Sequence, residues 1–341
     1  MSPSGKYPTD RLPRVRLAHL PTPIDPLPRL SEYLGGPELF IKRDDQTGLA
    51  TGGNKTRKLE FLIAEALEAG ADSVITAGST QSNHARQTAA AARAKGLEPH
   101  LVLYAPGEQP PENFNGNLLI NHLLGAVIHW TEERAPYSRT IGQVEAELKA
   151  GGKRPHVVPY GGSNATGLMG YVTAMIEVAE QAETSGPFDV HVFATSSGGT
   201  QAGMILGAHL SGLEGKTRLL GISVDEHRET LAPRVARLAG EGARLLGLDW
   251  QVEAEAVEVN DGYLGGGYAV VGEAEREAIR LLARLEGILV DPVYTGRALA
   301  GLIDLIRQGA FEAGQRILFW HTGGTAALFA FTEELGISSQ Q

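Results

Sequence analysis

Residues 73–105 read SVITAGSTQSNHARQTAAAARAKGLEPHLVLYA. A β-rich run, SVITAG, gives way to a small polar segment, GSTQSNHARQ at 78–87. An amphipathic stretch at 85–95 follows, with Ala85, Ala89 and Ala92 on one helical face, and then a second β-rich run, HLVLYA. The alternation continues almost from end to end. AVIHW, HVVPYG, VHVFATSS, RLLGISVD, GILVDP and RILFWHTGG are further β runs, separated by alanine- or leucine-rich stretches such as 296–308. Such a pattern implies parallel sheets covered by helices on both faces, and ligands in these folds bind beyond the carboxyl ends of the strands. The strand-to-helix loops are therefore where chemistry is expected. PGEQPPENFNGN at 106–117 reads as an exposed loop.

The chain has 341 residues, enough for two domains. Forty acidic residues against thirty basic ones give a net charge of -10, and no basic run appears, which argues against nucleic acid or an anionic membrane as partner. A small-molecule site is the better expectation. The absence of cysteine removes disulfides, thiolate nucleophiles and cysteine-ligated metals, and suits the cytoplasm. Neither a signal-peptide core in MSPSGKYPTDRLPRVRL nor a membrane-length apolar run is seen. The ten histidines show no HExxH or paired spacing, so no metal site is expected.

Four loop regions carry the chemistry. TGGNKTRKLE at 51–60 opens a helix whose apolar residues Leu59, Leu62, Ile63, Ala66 and Leu67 repeat until Gly70, with Asn54 expected as N-cap. Its first turn holds Lys55, Arg57 and Lys58, where helices ordinarily place acids. Either these cations point into water, or crowding lowers the pKa of Lys55 and yields a free amine able to form a Schiff base. GSTQSNHARQ puts Ser82 and Asn83 at a helix N-terminus, suited to capping or to an anionic oxygen, with His84 either a proton carrier or a hydrogen-bonding loop residue. ATSSGGTQAG at 194–203 offers Ser196, Ser197, Gly198, Gly199 and Thr200 at a helix start; it is neither a Walker loop nor GxGxxG, and it suits a phosphate cradle. In DPVYTGRALAG and HTGGTAAL, Tyr294 is placed to stack on a planar ring or move a proton, while Thr295 and Thr322 are neutral hydroxyls that face a ring nitrogen or cap helices. GGSNATG at 161–167 lacks the second glycine of a nucleophile elbow and is a candidate for a substrate carboxylate, with Gly162 in it.

A Schiff-base lysine, a phosphate cradle, a stacking aromatic and a neutral partner for a ring nitrogen are what pyridoxal phosphate requires. Over almost its whole length the chain resembles the fold-type II pyridoxal phosphate enzymes that include D-cysteine desulfhydrase and 1-aminocyclopropane-1-carboxylate deaminase. The resemblance rests on LPTPIDPLPRLSEYL, LFIKRDD, GGNKTRKLEFL, ITAGSTQSNHARQTAA, GGTQAG, DPVYTGRALAGLID and HTGG. It implies two open parallel-sheet, three-layer α/β domains of the tryptophan synthase β-like architecture. The smaller would be inserted at 56–164, and the larger built from 1–55 and 165–341. A homodimer is implied by the same analogy.

The resemblance also implies that Lys55 holds the cofactor and moves protons, that Asn83 contacts the ring's phenolic oxygen, and that Ser82 receives the substrate carboxylate. Ser197 to Thr200 would hold the phosphate, Tyr294 would stack near the ring, and Tyr268 matches a second active-site tyrosine of the deaminases. Deaminases carry glutamate after the tyrosine matching Tyr294 and glutamine after the Ser-Asn pair. This chain has Thr295 and His84, as desulfhydrases do. A neutral group at the ring nitrogen weakens the electron sink, which is sufficient where a good leaving group departs from the β carbon. The expected reaction is β-elimination, turning D-cysteine and water into pyruvate, hydrogen sulfide and ammonia. Aminocyclopropane-carboxylate deamination and sulfite elimination from L-cysteate are the alternatives within the family. Outside it, a dinucleotide oxidoreductase would leave Lys55 without a role, and a non-catalytic carrier would bind the cofactor without turnover.

Overall fold

The computed structural model describes residues 6–336, so the first five residues of the N-terminal stretch read above lie outside the described part. Its strands are β1 (Ile24–Pro26), β2 (Glu38–Lys42), β3 (Ser73–Ser79), β4 (Glu98–Tyr104), β5 (Val127–Thr131), β6 (Pro155–Val157), β7 (Val190–Thr195), β8 (Arg218–Ser223), β9 (Val259–Asn260) and β10 (Arg316–Trp320). They form two sheets, ordered β1-β2-β10-β7-β8-β9 and β5-β4-β3-β6. Only the β1–β2 pairing is antiparallel among them. The protein is thus α/β, with two parallel-sheet domains.

Period-two alternation shows why β10 is a central strand. Ile317 and Phe319 pack into one core with Ile41, Val192, Ile222 and Leu299, whereas Leu318 and Trp320 pack into another with Tyr171, Met175 and Phe193. Both faces are therefore covered by helices, as parallel sheets require. In the smaller sheet, Leu101 and Leu103 meet Ala85 and Ala89 on one face, while Ile75, Ala77 and Val102 meet Val144 on the other.

The run GILVDP is not a strand. Its polar backbone is satisfied by side chains instead of a ladder: Asp291 accepts the amides of Val293, Tyr294 and Thr295, and the Leu289 carbonyl takes the His321 Nε2–H at 2.8 Å. The short β1, β2 and β9 were not among the β runs read from sequence.

The helix Asn54–Glu68 joins the two cores. Leu59, Leu62, Ile63 and Ala66 pack against Val74, Ala91 and Ala92, and Phe61 packs against Leu168 and Met169. Its N-cap is Gly53, at φ +126°, and not Asn54. The Asn54 amide donates to the Thr322 carbonyl at 2.9 Å and its side chain to Thr200 Oγ1 at 3.3 Å, so that side chain is turned away from its own helix. Gly53 and Gly323 are held to glycine by contact as well as conformation, since a Cβ on Gly323 would lie 2.5 Å from the Gly53 Cα. The lysine helix is seated on the loop that follows β10.

Candidate active site

The carboxyl ends of β3, β7 and β10 converge on a cleft with about 650 Å³ of empty space. Lys55, Ser82, Asn83, His84, Ser196, Ser197, Gly198, Thr200, Tyr294 and Thr322 line it, so most of the candidates from separate loops meet in one place. Asn54, Tyr160, Gly161, Thr195 and Gly323 line it too and were not named as site residues from sequence. Tyr160 falls inside HVVPYG, read from sequence as a β run, but lies three residues beyond the end of β6, so nothing in the spacing marked it.

The three cations of the helix start have three different fates, and none is solvated freely. Arg57 is fully buried in a network beneath the helix: it donates to both Asp44 oxygens at 2.8 and 2.9 Å and to both Glu177 oxygens at 2.9 Å. Despite the cost of burial, these carboxylates hold its guanidinium firmly charged. Lys58 is equally buried but has no carboxylate partner among the described residues; its Nζ donates to the Gly161 carbonyl at 3.2 Å and to Ser163 Oγ at 3.4 Å. Burial, and then Lys55, push its amine well below the ordinary lysine range. Lys55 itself is half-buried at the cleft floor, and burial lowers its amine to about 8. Of the two readings left open by the sequence, a solvated cation or a depressed amine, this burial favours the second. Desolvation is its cause, since Arg57 is neutralised elsewhere.

Ser82 caps the helix Asn83–Ala94 by accepting the Ala85 amide at 3.1 Å. Asn83 is fixed by Asn117, whose Nδ2 donates to Asn83 Oδ1 at 2.8 Å, leaving the Asn83 amide group turned outward as a donor. His84 is buried, with Nε2 at 2.8 Å from Thr76 Oγ1. Because Thr76 donates its only proton to the Val158 carbonyl at 2.9 Å, it takes the His84 Nε2–H, and Nδ1 is left as an acceptor without a protein partner. Burial, with Lys55 and Lys58 nearby, keeps the imidazole neutral far below the ordinary histidine range.

At the opposite end, Gly198 lies in the left-handed region at φ +85° and opens the helix Gly199–Leu210. Ser163 Oγ is the hub there. It is 2.8 Å from Ser197 Oγ and accepts the Gly199 amide at 3.2 Å, which places Lys58 one hydrogen bond from the cradle. The GGSNATG loop, expected to meet a substrate carboxylate, thus belongs in part to this end of the cleft. Ser196 donates to Asp225 Oδ2 at 2.6 Å. Gly199 and Gly162 do not line the space; a Cβ on Gly162 would contact Lys58 and His84 at 3.4 and 3.5 Å.

Thr295 is fully buried outside the cleft lining. Its hydroxyl donates to Asp291 Oδ1 at 2.6 Å and accepts the Asp291 amide at 2.9 Å, so it serves the start of its helix. Thr322 is the hydroxyl that reaches the cleft. Tyr294 lines the cleft, and its phenol is 2.8 Å from that of Tyr268, which also lies 3.4 Å from Ser79 Oγ at the end of β3. Burial raises both phenols, Tyr294 well above its ordinary value. The Tyr268 loop is held by buried Arg297, which donates to the carbonyls of Gly267 and Val270 at 2.9 and 2.6 Å.

This donor set fits a phosphorylated aldehyde: a buried lysine without a counter-charge beside serine hydroxyls and a helix N-terminus, and a second lysine of depressed pKa across the cleft floor. Residues 15–323 match the family model described as pyridoxal-phosphate dependent enzyme. The chain belongs to this family. Its cofactor is pyridoxal 5'-phosphate. A crystal structure of an ACC deaminase homologue is similar at 40% identity and a TM-score of 0.87, covering 96% of this chain and 97% of that one. Fold alone is shared with an L-serine ammonia-lyase from the fungus Rhizomucor miehei, at 18% identity and a TM-score of 0.66 over 94% of this chain and 99% of that one. The same holds for maize serine racemase, at 18% identity and a TM-score of 0.60 over 89% and 88%. The architecture is that of fold-type II pyridoxal phosphate enzymes. No helix among the described residues is long and apolar enough to cross a membrane.

Proposed function

We propose that this enzyme is a carbon–sulfur lyase of the D-cysteine desulfhydrase type, which converts D-cysteine and water into pyruvate, hydrogen sulfide and ammonia. The observation that carries it is the lining of the cleft: among the described residues it contains no carboxylate and no arginine. Bound there, pyridoxal phosphate supplies an aldehyde that captures the substrate amine and an electron sink that acidifies its α C–H bond. Among the described residues the lining would offer the ring nitrogen neutral groups such as the Thr322 hydroxyl and no carboxylate, which would leave that sink weak and suit departure of a thiol, not the opening of an unactivated cyclopropane. Nor does any arginine lining the cleft await the sulfonate of cysteate.

Lys55 would hold the cofactor covalently and, as an amine that burial lowers to about 8, would also be the base that takes the α proton. Ser82 and the free amides behind it would orient the carboxylate, and Asn83 Nδ2 would be the donor offered to the cofactor. Ser197 and Thr200 would hold the phosphate, with Lys58 supplying charge from behind through Gly161 and Ser163. Tyr294, a phenol kept protonated by burial, donates a proton to the sulfur as the C–S bond breaks, and Tyr268 fixes its direction. Hydrolysis of the released aminoacrylate gives pyruvate and ammonia without net redox change. A homodimer in the cytoplasm, with a smaller domain at 56–164, belongs to the same proposal.

Deamination of aminocyclopropane carboxylate is the second reading, favoured by the 40% identity to the ACC deaminase homologue and by the paired phenols. Sulfide, sulfite and 2-oxobutyrate release from a panel of D- and L-amino acids tests both. Sulfide from D-cysteine is the expected outcome; 2-oxobutyrate from the cyclopropane substrate without sulfide would overturn it.

A further inference from the structure

The segment leading into Lys55 is bent in an unusual way. Ala50, Thr51, Gly52 and Gly53 all lie at positive φ, at +46°, +73°, +69° and +126°. Two of these are not glycine, and left-handed backbone there is unfavourable for Ala and for β-branched Thr. The conformation persists only if its surroundings over-determine it.

Thr47 holds Gly53 on both sides, accepting its amide at 2.8 Å and donating to its carbonyl at 3.0 Å, and the rest of the side-chain restraint comes from one neighbouring helix, Asn83–Ala94. Arg86 is fully buried and, among the described residues, has no hydrogen bond to a carboxylate. Its Nη1 donates to the Ala50 carbonyl and to Thr51 Oγ1, and its Nη2 to the Gly52 carbonyl at 3.0 Å. A guanidinium buried on neutral acceptors is costly, and burial lowers its pKa to about 10. The next residue, Gln87, grips the chain on the other side of Lys55: its Oε1 accepts the Thr56 amide at 2.9 Å and the Thr56 hydroxyl at 3.1 Å. Its Nε2 is committed to the Asn83 carbonyl at 3.0 Å, which fixes the orientation of the amide.

We infer that Arg86 and Gln87 are positioning residues that clasp the backbone before and after Lys55 and set that lysine's place relative to Ser82, Asn83 and His84. The inference rests on Lys55 being the cofactor lysine. Two adjacent side chains on the helix that begins with the substrate-facing residues hold both flanks of the lysine. Any shift between amine and carboxylate sites must therefore break four or more bonds. The geometry needed for proton transfer at the α carbon is built in before substrate arrives.

Arg86→Lys retains the charge but reaches one acceptor at most, and Gln87→Met keeps the volume without the acceptor. In the loaded enzyme, both variants are expected to release cofactor at least about ten-fold faster, followed by loss of its visible absorbance. Amide exchange of residues 50–56 should accelerate, and kcat should fall by about ten-fold or more with KM for the amino acid changed less than about three-fold. Ala50→Gly in the Arg86→Lys background should recover part of the loss, because glycine accepts the left-handed conformation unaided. Variants that melt at lower temperature, yet match wild type in cofactor release, exchange of 50–56 and kcat per bound cofactor, would overturn the inference and leave Arg86 and Gln87 as ordinary packing. Cofactor release and amide exchange are read without substrate, so they stand even if D-cysteine proves not to be turned over.

Discussion

The hydroxyls of Tyr268 and Tyr294 lie 2.8 Å apart, and through Ser79 the pair reaches from the larger sheet's domain to the smaller. One phenol must donate to the other, and both lie above the ordinary phenol value, so both are protonated through neutral pH.

Tyr294→Phe is therefore expected to lower kcat by about 10²-fold or more, as loss of a general acid does. Tyr268→Phe, which removes only the partner that aims it, should cost about ten-fold. Because both phenols are raised, neither should contribute an inflection to the rate profile below pH 10. Steady-state kinetics of both variants from pH 6 to 10 checks this.

Lys58→Met should weaken cofactor binding by about ten-fold or more while sparing the Schiff-base chemistry of Lys55. An empty site leaves the buried Lys58 amine depressed; a phosphate dianion brought beside it favours the charged form, so binding takes up a proton. Cofactor affinity in wild type should then fall as pH rises, and the variant should lose that slope. Equilibrium titration of the stripped protein at several pH values measures it.

Thr76→Val removes the group that takes the His84 Nε2–H and holds the imidazole in one tautomer. A drop of about ten-fold in kcat/KM is expected, with a mixed-tautomer signature for His84 in nitrogen NMR, where wild type shows a single neutral form.

Stability should fall on the acid side because of a residue remote from the cleft. Trp320 Nε1–H donates to His191 Nδ1 at 3.1 Å in the buried core, and burial lowers the imidazole to about 3. Between that value and the ordinary histidine pKa of about 6.5, the unfolded chain binds a proton that the folded chain refuses, so stability declines as pH drops through this window. His191→Gln keeps an acceptor for the indole and should flatten the decline in melting temperature.

How far the letters went depended on the kind of contact involved. Parallel sheets followed from local alternation and two domains from chain length, Ser82 and Ser197 stood out as small polar residues after a β run, and Lys55 stood out as a cation in the first turn of a helix. Asp44 and Glu177, which neutralise Arg57, lie 13 and 120 residues from it, and no local spacing announces a partner at such distances. GILVDP looked like a strand because apolar content marks burial and not ladder pairing; Asp291 gathers its neighbours' amides instead. Thr295 was placed by its neighbour Tyr294, yet adjacent residues at a helix start point in different directions, and it turned to Asp291.

The strand order carries a consequence for biosynthesis. β10 lies between β2 and β7, and the loop after it supplies the Thr322 carbonyl that receives the Asn54 amide. A nascent chain emerging from the ribosome thus carries its lysine helix long before the seat for that helix has been made. Assembly of the site is a late event in synthesis, dominated by contacts of large sequence separation. Cofactor capture during translation has to wait until the residues of the HTGG loop have cleared the exit tunnel.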